Sequence, residues 1–233
     1  MKICAVIVAA GNSTRMQSGG RSKLLMELCG EPVLRHTLRA FDRAACIEEI
    51  VVVTRPVDFD AVREAMRGIG KPVRITEGGA ARQDSVANGA ALCADADYIA
   101  VHDGARPLIT PAQIEAVCAH AQKYGAATLA VPVKDTIKIA SAENFVEGTP
   151  DRAALRAIQT PQVFHLPLYK RALELAAEQG KQYTDDCQLI ENAGGVVYLT
   201  PGDYRNVKIT TPEDLPMAEA FYKMLENEKE NGI

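Results

Sequence analysis

The sequence predicts an α/β fold built on a doubly wound, mostly parallel sheet. Three observations carry that prediction. Short apolar runs rich in β-branched residues recur along the chain, the first at residues 3–10 and the second, IVVVT, at 50–54. Between them lie stretches whose apolar residues fall three or four apart, the period of an amphipathic helix. Loops of small and basic residues follow several of the runs directly. Alternating strand and helix gives parallel strands joined by right-handed crossovers. Loops at the carboxyl ends of such strands face one crevice, where open sheets of this class bind ligands.

Composition narrows the function. The 233 residues are 47% hydrophobic and 24% charged, as in a globular protein. A formal net charge of −4 argues against general nucleic-acid affinity, which calls for a basic surface. No apolar run approaches the ~20 residues that span a bilayer, and the first apolar run leads straight into a glycine-rich loop, as a strand does and a signal peptide does not. The six cysteines show neither a CxxC pair nor zinc spacing. Most lie in apolar surroundings and read as small core residues, and the chain reads as a reduced, cytoplasmic protein with no nucleic-acid or membrane partner.

Taken in order, residues 3–10 suit one buried strand. The loop behind them holds Gly11, Asn12, Ser13, Thr14 and Arg15, then Gly19, Gly20 and Lys23. Bare N–H groups and two cations suit a phosphate, although neither a Walker A ending nor GxGxxG is present. Pro32 opens a helix reaching 44, and 50–54 is the second strand. Phe59, Val62, Met66 and Ile69 mark a helix over 58–67. A short strand at 73–76 precedes the small-residue loop from Gly78 to Arg82 and a helix over 83–94. The strand at 98–101 runs into His102, Asp103, Gly104, Ala105, Arg106 and Pro107. Thr110 is a natural N-cap with Pro111 at the first helical position. Residues 127–133 form the fifth strand.

The rhythm breaks over 134–156, a polar and weakly alternating stretch. So long an excursion within a compact domain is usually functional. Residues 136–139 and 145–147 pair in this reading as a β-hairpin arm, whose exposed edge calls for a partner such as a second copy. The fold resumes with a strand at 157–164, a helix over 167–179 stopped by Gly180, a helix capped by Thr184, a strand at 196–200 and a terminal helix from Pro212. No repeat or linker divides the chain, so one domain covers 1–233, with the arm at about 134–156. It ends soon after the terminal helix, and the expectation is that no further domain is fused downstream.

Four strand-end loops carry the unusual residues: Arg15 and Lys23; Arg82 and Ser85; Asp103 and Arg106; and Lys208. Singly, loop lysines and arginines are mostly solvated. Jointly, several cations meeting one or two carboxylates describe a site for polyphosphate and a divalent metal. No GxSxG elbow and no His/Cys metal cluster is visible. A reaction needing positioning and charge neutralisation therefore fits better than covalent catalysis, and phosphoryl or nucleotidyl transfer is of that kind.

With these loops assembled, the sequence resembles the 2-C-methyl-D-erythritol 4-phosphate cytidylyltransferases, the CTP-using enzymes of the non-mevalonate isoprenoid pathway. The resemblance rests on AAGNSTRM and SK (9–16, 22–23), GGAARQDSV (78–86), VHDGARP (101–107) and VPVKDTIK (131–138). It continues through DR (151–152), TPQVF (160–164), TDD (184–186) and NVKITTPEDL (206–215), in order over nearly the whole chain. It implies a Rossmann-like nucleotidyltransferase fold whose arm serves dimerisation. It implies also in-line attack of the methylerythritol phosphate on the α-phosphorus of CTP, with Mg²⁺ bound mainly through the CTP phosphates and not by a dedicated protein cluster. Arg15, Lys23, Arg152 and Lys208 match the catalytic positions. Ala9, Ala10, Gly11, Gly79, Ala80, Arg82, Ser85 and Asp103 match those around the nucleotide. Arg106, Asp135, Thr136, Arg152, Thr160, Thr184 and Lys208 match those of the second substrate. In the family Thr136 and Arg152 come from the neighbouring subunit, so a homodimer with exchanged arms is implied.

The family often has glycine where Asn12 and Ser13 stand, proline at Ser22 and a polar residue at Ala80. Ribitol-5-phosphate cytidylyltransferases, which share the chemistry, tend to carry valine at the position of Ala105. A non-catalytic nucleotide-binding protein on the same fold would be expected to lose Lys23 or Lys208, and both are present. A dinucleotide dehydrogenase would need the missing GxGxxG.

Overall fold

A computed structural model describes residues 1–11 and 22–230 of the chain, so Arg15 and its neighbours in the first loop lie outside the described residues. In chain order the elements are β1 (Ile3–Val8), β2 (Glu27–Leu28), β3 (Glu31–Pro32), α1 (Val33–Arg43), β4 (Glu49–Thr54), α2 (Phe59–Ala65), β5 (Val73–Glu77), α3 (Arg82–Leu92), β6 (Tyr98–Asp103), α4 (Pro111–Tyr124) and β7 (Ala126–Pro132). There follow β8 (Ile139–Ala140), β9 (Val146–Gly148), β10 (Arg156–His165), α5 (Leu166–Glu178), α6 (Asp186–Asn192), β11 (Tyr198–Pro201) and α7 (Asp214–Glu230).

Seven strands form one sheet in the order β11-β7-β10-β6-β1-β4-β5. The pairs of β1 with β4 and β6, of β4 with β5 and of β7 with β11 are parallel, as the alternation predicts. The exception is β10, antiparallel to both neighbours, with Gln162 opposite Val101 of β6 and Thr128 of β7. The doubly wound, mostly parallel sheet is thus present.

Alternation along the central strands divides the apolar residues between two cores. Ile3, Ala5 and Ile7 pack with Leu34, Leu38 and Phe41 of α1 and with Ile114 and Val117 of α4. Cys4 and Val6 point the other way, toward Val86 and Ala90 of α3, Tyr169 of α5 and Ile190 of α6. Successive side chains of a strand leave opposite faces, so one strand feeds both layers. Gly89 lets α3 lie close on the sheet, since a Cβ there would stand 2.6 Å from Val6 Cγ1 and 2.8 Å from Val53 Cγ2.

Helix ends follow local chemistry. The Thr110 hydroxyl accepts from the Gln113 N–H at 3.3 Å while Gln113 Oε1 accepts from the Thr110 N–H at 3.0 Å, a capping box. At the other end of α1, Lys71 Nζ donates to the carbonyls of Phe41, Asp42 and Ala44, satisfying oxygens a helix terminus leaves orphaned.

Three expectations need correction. Asp185, not Thr184, caps α6: its carboxylate accepts from the Gln188 N–H at 3.1 Å, while Thr184 donates to the Gln188 side chain. The hairpin exists, but Ile139 faces Gly148 and Ala140 faces Val146. Its turn decides this register, through Asn144 at φ 66° and the Ser141 N–H donating to the Phe145 carbonyl at 2.9 Å. Finally, Cys4 and Cys93, read as free thiols, are joined in a disulfide with Cα atoms 5.9 Å apart, where the last turn of α3 passes over β1. Among the free cysteines Cys118 and Cys187 are buried and Cys29 is exposed. Among the described residues no helix is long and apolar enough to cross a membrane.

Candidate active site

The carboxyl ends of β1, β5 and β6 open on a cavity of about 340 Å³. Its wall includes Val8, Ala10, Gly11, Lys23, Gly79 and Ala80, together with Arg82, Ser85, Asp103, Lys208 and Thr210. Residues from opposite ends of the chain therefore meet in one place, as the strand-end loops predict.

The turn between β5 and α3 is shaped from within. Ser85 Oγ accepts from the Gly79 N–H at 3.0 Å and donates to the Ala81 carbonyl at 3.0 Å. Asp84 accepts from the Ala81 N–H at 3.0 Å. Residue 79 has to be glycine here, because a Cβ would stand 2.3 Å from that of Asp84. The wall left by Gly79 and Ala80 is backbone and one methyl, open to a planar ring. Ala9, buried just behind, donates its N–H to Val53 O at 2.7 Å and holds the end of β1 against β4.

Asp103, at the end of β6, is the charged centre. Lys208 Nζ lies 2.7 Å from its Oδ2, Arg82 Nη2 3.7 Å from its Oδ1 and Arg106 Nε 3.8 Å from its Oδ2. Burial alone would raise the pKa of this carboxyl. Lys208 first, then Arg82 and Arg106, outweigh burial and hold it well below the usual carboxylate range. Arg82 is anchored from behind by Asp186, whose Oδ2 accepts from Nη1 at 2.6 Å. Burial opposes charge on Arg82, but Asp186 and Asp103 overcome it and raise its pKa. Asp186 is itself fixed by the Tyr169 hydroxyl at 2.7 Å and by its N–H donating to Gln162 Oε1 at 2.9 Å.

The loop carrying Lys208 is stitched to the first half of the chain. Ile209 N–H donates to the Ala105 carbonyl at 2.8 Å, Lys23 Nζ to the Ile209 carbonyl at 2.6 Å, and Arg106 Nη1 to the Asn206 carbonyl at 2.7 Å. Behind Asp103, its N–H donates to Thr160 Oγ1 at 3.1 Å, and that hydroxyl meets His102 Nδ1 at 3.0 Å. Burial pushes the His102 pKa down to about 3, so the ring is neutral at pH 7.

The other sequence candidates lie apart from this cavity within one chain. Asp135, Thr136 and Arg152 belong to the exposed arm, with Arg152 Nη1 donating to the Lys134 carbonyl at 3.0 Å. Thr184 lines a second cavity with Thr128, Arg156, Asp185 and Gln188. Asp186 and Asn206 escaped sequence reading as site residues, although both stand in motifs it singled out. A carboxylate directly behind a helix cap and an amide two residues before a lysine carry no local sign of burial.

The sequence matches the family described as IspD: 2-C-methyl-D-erythritol 4-phosphate cytidylyltransferase, over residues 3–224. A 2-C-methyl-D-erythritol 4-phosphate cytidylyltransferase from Caldanaerobacter subterraneus subsp. tengcongensis is 47% identical over 227 residues, covering 96% of this chain and 100% of its own. Another, from Pelotomaculum thermopropionicum, is 44% identical over 226 residues, covering 95% and 94%. The crystal structure of 4-diphosphocytidyl-2C-methyl-D-erythritol synthase from Anaerococcus prevotii is similar at a TM-score of 0.85 and 32% identity, over 95% of this chain and 98% of that one. Fold, strand-end chemistry and sequence agree: the chain belongs to the IspD family of 2-C-methyl-D-erythritol 4-phosphate cytidylyltransferases.

Proposed function

We propose that this cleft joins CTP and 2-C-methyl-D-erythritol 4-phosphate, giving 4-diphosphocytidyl-2-C-methyl-D-erythritol and pyrophosphate. An oxygen of the substrate phosphate attacks the α-phosphorus of CTP in line. One P–O bond forms, the bond to the β-phosphate oxygen breaks, and pyrophosphate leaves with the electron pair. A phosphate monoester is largely a dianion at pH 7, its second pKa being about 6, so no general base is needed. The work is to bring two anions together and to offset charge at a five-coordinate phosphorus.

The observation that carries this reading is the convergence of Lys23, Arg82 and Lys208 on one cavity around an ionised Asp103. Ala9, Ala10, Gly11, Gly79, Ala80 and Ser85 receive cytosine and ribose, the backbone wall fitting a pyrimidine and rejecting a purine by size. Arg15 and Lys23 stabilise the transition state. Lys208 and Arg152 orient the substrate phosphate, and Arg106, Asp135, Thr136, Thr160 and Thr184 hold the rest of that molecule. Thr136 and Arg152 reach the site from the arm of a second copy, so the enzyme works as a homodimer with exchanged arms, in the cytoplasm. The exposed Ile139, Phe145 and Val146 support this, since a hairpin with such an apolar surface needs a partner.

Mg²⁺ would be held through the CTP phosphates, which suit an ion that favours substrate phosphates over an all-protein cage. The carboxylate at the cavity wall, Asp103, is already paired with Lys208, Arg82 and Arg106 and is assigned no part in holding the ion. On the CTP phosphates the ion would supply charge neutralisation at their oxygens.

The test is pyrophosphate release from CTP with Mg²⁺, offering methylerythritol 4-phosphate and ribitol 5-phosphate in parallel. Release with the first only, with the CDP-linked product formed, is expected. Release with ribitol 5-phosphate would keep the chemistry and overturn the substrate. Silence with both, from folded dimer, would leave a nucleotide-binding protein without this activity.

A further inference from the structure

Behind the cleft, His102 occupies the middle of a polar chain and itself has no part in the reaction described above. It is fully buried. Its Nε2 faces the Arg106 carbonyl at 3.3 Å and its Nδ1 faces Thr160 Oγ1 at 3.0 Å. A carbonyl oxygen only accepts, so Nε2 has to carry the hydrogen of the neutral ring, and Nδ1 is left as a bare acceptor. The hydroxyl hydrogen of Thr160 therefore goes to His102. The same oxygen accepts the Asp103 N–H at 3.1 Å. A threonine hydroxyl has one hydrogen and two lone pairs, so one lone pair remains.

We propose that His102 is a positioning residue which fixes Thr160 as a hydrogen-bond acceptor for a hydroxyl of the sugar-alcohol substrate. By taking the only hydrogen of Thr160, it leaves the oxygen able to accept and unable to donate. A polyol hydroxyl donating to that oxygen is matched, whereas an acceptor placed there would meet a lone pair. The ring also ties Thr160 on β10 to the carbonyl of Arg106, so two substrate-side residues from distant segments keep one spacing. This rests on the reading of Thr160 as a substrate residue, and the test separates the two.

His102→Asn keeps an acceptor near the place of Nδ1, and His102→Gln keeps a donor near that of Nε2. In steady-state kinetics His102→Gln is expected to raise KM for methylerythritol 4-phosphate about tenfold, the worth of one lost hydrogen bond. KM for CTP should stay within about twofold, and His102→Asn should do much less to either. Thr160→Val should raise the same KM, and Thr160→Val/His102→Gln should be no worse than Thr160→Val alone, because His102 acts through that hydroxyl. Thermal unfolding of each variant identifies those that fold. Equal changes in both KM values from Asn and Gln alike, as a merely structural residue would give, would overturn the proposal. So would a Thr160→Val effect with none from His102→Gln. An unchanged KM in Thr160→Val would remove Thr160 from substrate binding and overturn the proposal at its premise.

Discussion

At Asp103 a buried carboxylate is kept ionised because three cations outweigh its loss of hydration. One residue earlier the balance reverses. His102 feels the same aspartate, yet burial dominates and its pKa falls to about 3. The unfolded chain binds a proton there below about pH 6.5. Between those two values the unfolded state holds the extra proton, so stability falls as pH falls, by up to about 1.4 kcal/mol per pH unit from this group. His102→Gln lacks that proton site. The stability gap between wild type and His102→Gln, measured by urea unfolding, should therefore narrow by about 2 kcal/mol from pH 7 to pH 5. A constant gap would show that the folded ring binds protons as readily as the unfolded one.

At the scale of elements, α3 depends on Gly89. Alanine in a helix interior normally gains up to about 1 kcal/mol over glycine. Here its methyl would press on Val6 and Val53, whose branched side chains have little rotamer freedom. Overpacking of about 1–3 kcal/mol should reverse the usual gain, and Gly89→Ala should lower the urea midpoint; an unchanged or raised midpoint would mean that the sheet yields without strain. The elements legible in the sequence are those fixed locally. Thr110 and Pro111 announce α4 because cap, proline and Gln113 lie within one turn, and Gly79 and Ser85 shape their loop between themselves. Arg82 was legible as a cation near the cleft, but its anchor Asp186 lies 104 residues away, and no local pattern reports such a pairing. The hairpin register and the Cys4–Cys93 bond were hidden for similar reasons, one set by a turn conformation and the other by how a helix crosses a strand.

At the scale of the whole molecule, the arm springs from β7 and returns into β10, so both its roots lie inside the sheet. If arms are exchanged, no single chain owns a complete site. Lys23→Ala and Arg152→Ala should each be inactive alone and fold normally. Mixed at equal amounts after subunit exchange, half the dimers pair the two variants and carry one competent site of two, so about a quarter of wild-type activity should return. No recovery in verified mixed dimers would mean that each chain uses its own Arg152.

The antiparallel strand of the seven-stranded sheet also has a consequence for how the chain is made. Strands β5, β4, β1 and β6 all precede residue 104 and form an unbroken parallel block, whereas β7 and β11 connect to that block only through β10. A nascent chain that has already delivered β7 has no place to dock it until the arm and β10 have followed. The first half can order itself early, and the second must wait for a strand made later to be wedged in before it. Pulsed hydrogen exchange during refolding should protect the amides of β1, β4 and β6 ahead of those of β7 and β11, and simultaneous protection would show that the two halves form together. Biosynthesis then meets an interval in which the edge of β6 stands open, a window in which a chaperone, or another unfinished chain, can reach it first.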